Sequence, residues 1–173
     1  MVHATHNFKS KGIKLKKIGI LAYGSLIEDS GIEIEPLIQT RIENIKTPFK
    51  IEFARSSLSR NGAPTLVEYD DGLTVNGQIL LLKDSVTLEH AKDILWRRET
   101  RNEKSGRKYI EAKNPPLNKV VVEVLENFKD IDYVLYTKIG ANIENPTAEK
   151  LANLAIESAK KDAGKKEKMA LVI

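Results

Sequence analysis

There is no cysteine anywhere in the chain, which removes disulfide staples, thiolate metal sites and a cysteine nucleophile together. Histidine is nearly as scarce. Of the three present, His3 and His6 lie near the start and His90 stands alone much further on, so no pair falls at the spacing of a zinc site. A Ser-His-Asp triad would have to recruit His90 as its base, and no G-x-S-x-G elbow presents a serine to it. A phosphate-cradling loop is missing as well: "GANIENPTAEK" has neither the glycine spacing nor the Gly-Lys-Ser/Thr ending. No apolar run approaches the roughly 20 residues that cross a bilayer, and "IGILA" is too short for a signal-peptide core. The chain therefore reads as cytoplasmic, with no membrane partner.

What is present describes a globular protein. The 173 residues, 41% hydrophobic and 30% charged, suffice for one core and are neither greasy nor polar enough for a span or a disordered tail. Net charge is +4, but five lysines (Lys9, Lys11, Lys14, Lys16, Lys17) fall within residues 1–17 with no acid among them. Setting those five aside from +4 leaves residues 18–173 at −1. The positive charge thus belongs to an arm, which weighs against nucleic acid as the partner of the folded part. The organisation expected is a basic arm over 1–17, a single domain over 18–163 and a lysine-rich tail over 164–173. Nothing in the pattern specifies an oligomeric state.

Ile18 to Tyr23 is a short apolar run, expected as a central strand. "IEPLIQTRI" has a helical look, with Pro36 in its first turn. From Phe49 onward apolar and polar residues alternate, placing Phe49, Ile51 and Phe53 on one strand face. "APTLVEYDDGLTVNGQILLLKD" reads as a hairpin turning at Asp70-Asp71-Gly72. A helix is expected over 85–99, capped by Asp84 or Ser85, with Leu88, Ala91, Ile94 and Leu95 on one face. Three strands follow, in "GRKYIEA", "KVVVEVLENF" and "IDYVLYTKI", the last two joined by a short turn. Asn145-Pro146 then opens a final helix. Hairpin-length links between strands favour an α+β fold, either a largely antiparallel sheet or a small barrel, with helices packed outside.

Two places carry chemistry. In "ILAYGSLIEDSG" the first strand breaks at Tyr23-Gly24-Ser25, a plain turn or a loop whose amides hold a ligand. At the other, Glu99 ends the middle helix. At 100° per residue it projects about 40° from Leu95 and about 20° from Leu88, so the apolar stripe ends in a carboxylate. Such a group is a candidate general base; the alternative is an ion pair with Arg98, Arg101 or Lys92.

Taken with the order of elements between them, these features resemble the γ-glutamylcyclotransferase superfamily, and most closely its ChaC branch. The residues that carry the resemblance are Tyr23-Gly24-Ser25-Leu26-Ile27 after the first strand, and Glu99 in "LWRRETRNEKSGRKY" with Tyr109 following. "FARSSLSRNGAPTLV" and "YVLYTKIGANIENPTAEKLANLAI" extend it over roughly residues 18–159. The resemblance implies a small mixed, mostly antiparallel β-barrel with helices packed outside, and a cofactor-free release of 5-oxoproline from glutathione or another γ-glutamyl amino acid or peptide. It implies Glu99 as the catalytic acid/base, and Tyr23, Gly24, Ser25, Leu26 and Tyr109 as substrate-binding residues, with no metal. Two other readings stay open: a non-catalytic module that keeps the pocket, and nucleic-acid binding through the arm.

Overall fold

The computed structural model describes residues 15–170, with side chains through Asp162. Most of the basic arm therefore lies outside the described residues. The fold is α+β. Strand β1 (Ile18–Ala22) is buried at all five positions, as the run of apolar residues predicts. It pairs antiparallel with β5 (Asn76–Leu82) on one side and parallel with β7 (Ile131–Lys138) on the other. Outside these lie β2 (Ile38–Lys46) and β6 (Val121–Phe128), giving a mixed sheet in the order β2-β5-β1-β7-β6. Strands β3 (Ile51–Ser57) and β4 (Ala63–Glu68) form a separate antiparallel pair.

The ladders do not join into a closed barrel. The five-stranded sheet ends at β2 and β6, and the β3–β4 pair forms a ladder of its own, with one isolated bridge beside it, Ile51 to Leu73. Helix α2 (Leu88–Glu99) lies across β1, β6 and β7. Ile20, Leu80, Ile94, Leu95 and Leu135, none more than 1% exposed, fill the space between helix and sheet. Leu21, Ile79 and Val134 form a second cluster on the opposite sheet face. Complete burial of such side chains contributes about 1.5–3 kcal/mol each relative to exposure. Helix α3 (Ala148–Ala170) packs against β4.

Several expectations are corrected. "IEPLIQTRI" is not a helix: Pro36 sits in a 3₁₀ turn over Glu35–Leu37, and the chain then extends as β2 along the free edge of β5. Its apolar spacing fits a helix because β2 is bulged twice, with Asn44 at φ 59° beside the second bulge. Phe53 does not share a buried face with Ile51, because the register shifts between Glu52 and Arg55. Ala54 takes the buried position and Phe53 is 44% exposed.

The Asp-Gly hairpin does not form either. Gly72 closes a turn by donating to the Tyr69 carbonyl at 3.0 Å but lacks the positive φ of a two-residue hairpin turn. Strand β4 pairs with β3, and β5 pairs with β1 and β2. "GRKYIEA" is not a strand, since α2 side chains take up its backbone groups: Tyr109 N–H donates to Asp93 at 2.7 Å and Arg97 donates to the Arg107 carbonyl at 2.6 Å. The helix caps move as well. Thr87 caps α2, accepting from His90 N–H at 3.2 Å. Thr147, not Asn145, caps α3, accepting from Lys150 N–H at 3.3 Å.

Candidate active site

Where β1 ends, Tyr23 leaves the sheet and Gly24 turns the chain at φ 59°, ψ −133°, a region that only glycine enters without strain. One short helical turn follows, α1 (Ser25–Glu28), and Leu26 fixes it by burying its side chain in the core. The loop is thus held at both ends, by a sheet and by an anchored leucine, while Gly24 and Ser25 stay exposed.

This loop forms one side of a cavity of about 340 Å³. The other walls come from β4 (Pro64 to Glu68), from Thr137 and Ile139 at the end of β7, and from Glu99, the last residue of α2. Tyr23, Gly24, Ser25, Leu26 and Glu99, distant in sequence, all border the same space. Tyr109 does not. Its ring lies 6.4 Å from Trp96, and its hydroxyl accepts from Val122 N–H at 3.1 Å, tying the loop after α2 to β6.

Arg98 couples the two halves of the site, a role not visible from its place in the sequence. It donates to Glu99 Oε1 at 2.7 Å and to the Ser25 carbonyl at 3.4 Å, and it also reaches the Asp29 carbonyl. The ion pair weighed for Glu99 is therefore present, and Arg98 is its partner. Lys92 turns instead toward Glu111 at 3.8 Å, and Arg101 toward the Ser59 carbonyl at 3.5 Å. With Oε1 taken, Oε2 is the carboxylate oxygen left to accept from a ligand among the described residues.

A second carboxylate, Glu68, also borders the cavity. Lys138 Nζ stands 2.9 Å from its Oε2 as an ion pair, without the alignment of a directed hydrogen bond. Two phenols feel these carboxylates, Tyr23 in the cavity wall and Tyr136, which is not part of the lining. The Tyr23 hydroxyl donates weakly to the Thr137 carbonyl at 3.4 Å, and its ring meets Phe49 edge-on, which in turn stacks on Tyr136 at 4.5 Å. Burial, reinforced by the charge of Glu99, raises the Tyr23 phenol well above its ordinary range. Burial followed by the charge of Glu68 pushes Tyr136 up to about 12. Both stay protonated donors at neutral pH.

The arrangement offers a proton acceptor, one phenolic donor in Tyr23 and loop amides. The Ser25 hydroxyl bonds to no base among the described residues, and His90 lies on the exposed face of α2. No group of three or more His, Asp or Glu side chains gathers as a metal site among the described residues. Nor is any helix among them long and apolar enough to cross a membrane. Compared with protein-family models, curated proteins and solved structures, the chain matches none.

Proposed function

We propose that the protein is a cytoplasmic γ-glutamylcyclotransferase that releases 5-oxoproline from a γ-glutamyl amino acid or peptide. The observation that carries this reading is the convergence of the Tyr23–Leu26 loop and Glu99 on one cavity. They are five of the six residues the resemblance singles out, Tyr109 being the exception, and apart from the β6–β7 hairpin they meet across a strand pairing the sequence does not predict. The finer fold assignment goes with it: the β3–β4 pair standing over the loop corresponds to the missing wall of a small barrel.

The chemistry requires no nucleophile from the protein. The substrate's α-amine arrives as an ammonium, and Glu99 Oε2 accepts one of its protons. The freed nitrogen attacks the γ-carbonyl carbon, forming the N–Cγ bond of a five-membered lactam. As the bond from Cγ to the departing nitrogen breaks, Glu99 returns its proton there; it then takes the second proton from the ring nitrogen, still NH2+ after the attack, and passes it to the same expelled amine. Both protons lost by the α-nitrogen end on the expelled amine, so no water or redox partner is consumed. Acid–base catalysis of this kind contributes about 10²- to 10⁴-fold. Negative charge on the γ-oxygen falls to the amides of Gly24 and Ser25 and to the Tyr23 hydroxyl. Holding the glutamyl chain bent, so that its ends meet, supplies several kcal/mol more.

The test is mass spectrometry for 5-oxoproline after incubation with glutathione, γ-glutamyl amino acids and γ-glutamyl amines, beside the Glu99→Gln variant. Product from the wild type, reduced at least 100-fold in the variant, is the expected result. Unchanged release by the folded variant would remove Glu99 from the role given to it. The Arg98–Glu99 pair favours a second reading, a module that binds in the same cavity without turnover. That reading expects affinity for a γ-glutamyl compound with no product at all.

A further inference from the structure

The cavity does not end at Arg60. Phe53, Arg60 and Pro64 border it and also border a second, more open hollow of about 470 Å³. That hollow runs between the β3–β4 pair and α3, floored by Leu151, Ala152 and Ala155. It is held open by polar contacts at its edge. Ser158, buried on α3, donates to the Arg60 carbonyl at 2.8 Å, and the Asn61 side chain donates to Asp162. The turn carrying Arg60 is thereby pinned to the helix. The Arg60 guanidinium itself meets no acceptor among the described residues, although it stands at the junction of both spaces.

Resting on the reading above, we infer that this hollow receives the leaving group, and that the preferred substrates are γ-glutamyl derivatives of apolar amino acids. The α-nitrogen and γ-carbonyl react beside Glu99, so the departing amine has to extend out of the first cavity past the residues common to both spaces. There an amino-acid leaving group presents one carboxylate and one side chain. The carboxylate meets the uncommitted Arg60 guanidinium, and a branched aliphatic or aromatic side chain lies on Phe53, Pro64 and the alanines of α3. The space has the size and apolar lining of a small-molecule site. A cysteinylglycine leaving group, as in glutathione, covers less of it and sets its carboxylate further out.

The discriminating substrates are γ-glutamyl-leucine, γ-glutamyl-glycine and glutathione, measured by 5-oxoproline release and, on Glu99→Gln, by titration calorimetry. The wild type is expected to favour γ-glutamyl-leucine over γ-glutamyl-glycine by about 10- to 100-fold in kcat/KM, the range that apolar pocket contacts discriminate. The calorimetric affinities should show the same order. Ala155→Glu and, independently, Ala152→Glu place a carboxylate in the hollow from exposed helix positions and should bring the leucine-to-glycine ratio close to 1. Arg60→Ala should weaken γ-glutamyl-leucine while sparing γ-glutamyl-isopentylamine, which has no carboxylate on its leaving group.

Equal kcat/KM for leucine and glycine substrates would overturn the leaving-group site while the cyclisation stands. A leucine preference in binding with no 5-oxoproline from any substrate would leave the site standing and remove the reaction. A wild-type dimer that Ala155→Glu dissociates, with the leucine-to-glycine ratio unmoved, would give the hollow to a second copy of the chain.

Discussion

Replacing Arg98 by methionine keeps most of the apolar stem and removes the guanidinium, which isolates the coupling it provides. Its side chain is 13% exposed and that of Glu99 25%, so the pair is shielded but not dry. A hydrogen bond to a charged group contributes about 1.5–3 kcal/mol. The two carbonyl bonds count for less, since Ser25 is reached only at 3.4 Å and Asp29 is exposed. The expected loss is about 2–3 kcal/mol, or roughly 5–10 °C in Tm for a chain of this size. Urea unfolding followed by fluorescence suits the measurement, because the single tryptophan, Trp96, lies on α2 two residues before Arg98. The variant should also release 5-oxoproline more slowly, as Glu99 and the Ser25 turn lose their common tether. A loss below about 0.5 kcal/mol would place the pair among solvent-screened surface bridges. The account of Arg98 as the link between the two halves would then fail.

Three other perturbations test separate parts of the argument. Gly24→Ala forces a side chain into φ 59°, ψ −133° and should cost about 1–3 kcal/mol of backbone strain, read as a lowered urea midpoint together with weaker γ-glutamyl binding. Tyr109→Phe takes the acceptor from Val122 N–H; because β6 is an edge strand and water can replace the hydroxyl, the loss should stay near about 1 kcal/mol. Glu33, hydrogen-bonded by Arg97 at 2.9 Å, is held below its ordinary carboxylate value chiefly by that bond. Its folded value lies below its unfolded one, so its contribution is complete above the unfolded pKa, near about 4.3, and is lost as pH falls through the folded value. Glu33→Gln should therefore flatten the decline in urea midpoint between neutral and acid pH; an unchanged slope would mean that another carboxylate sets it.

Much of the sheet's centre was legible because its residues answer to local rules. β1 is apolar at every position but Gly19 and is buried on both faces. α2 repeats its apolar residues at helical spacing, and β6–β7 turn over two residues, Lys129 and Asp130. The misread segments are those whose conformation is decided from a distance. β2 is a strand because β5 offers it an edge, information that no window around Pro36 contains. "GRKYIEA" stays irregular because Asp93 and Arg97, both buried on α2, take its hydrogen bonds. Neither side chain stands out in a pattern built from apolar spacing. In the site, Glu99 and the Tyr23 loop were found through motif and helical phase. Glu68, Arg60 and Thr137 carry no such signature, and only the packing of β4 and β7 against the loop brings them to the cavity.

The charges around that cavity say what kind of ligand it suits. Each carboxylate already has its own cation, Glu99 with Arg98 and Glu68 with Lys138. Without Arg60 the site is neutral overall, yet it presents acceptor and donor groups side by side. A purely anionic ligand such as a phosphate group would meet two carboxylates whose cations are engaged. A zwitterionic head group needs no such concession: its ammonium faces the open oxygen of Glu99, and its carboxylate meets the exposed Ser25 hydroxyl. The γ-glutamyl head is a group of this type. The one cation left without a partner among the described residues lining both hollows, Arg60, then matches the one remaining charge of a γ-glutamyl amino acid, the carboxylate of its leaving group. A γ-glutamyl amine lacks that carboxylate and should bind more weakly in proportion to what Arg60 contributes, and raising the salt concentration should narrow the gap. A gap that does not change with salt would mean that Arg60 reads shape rather than charge.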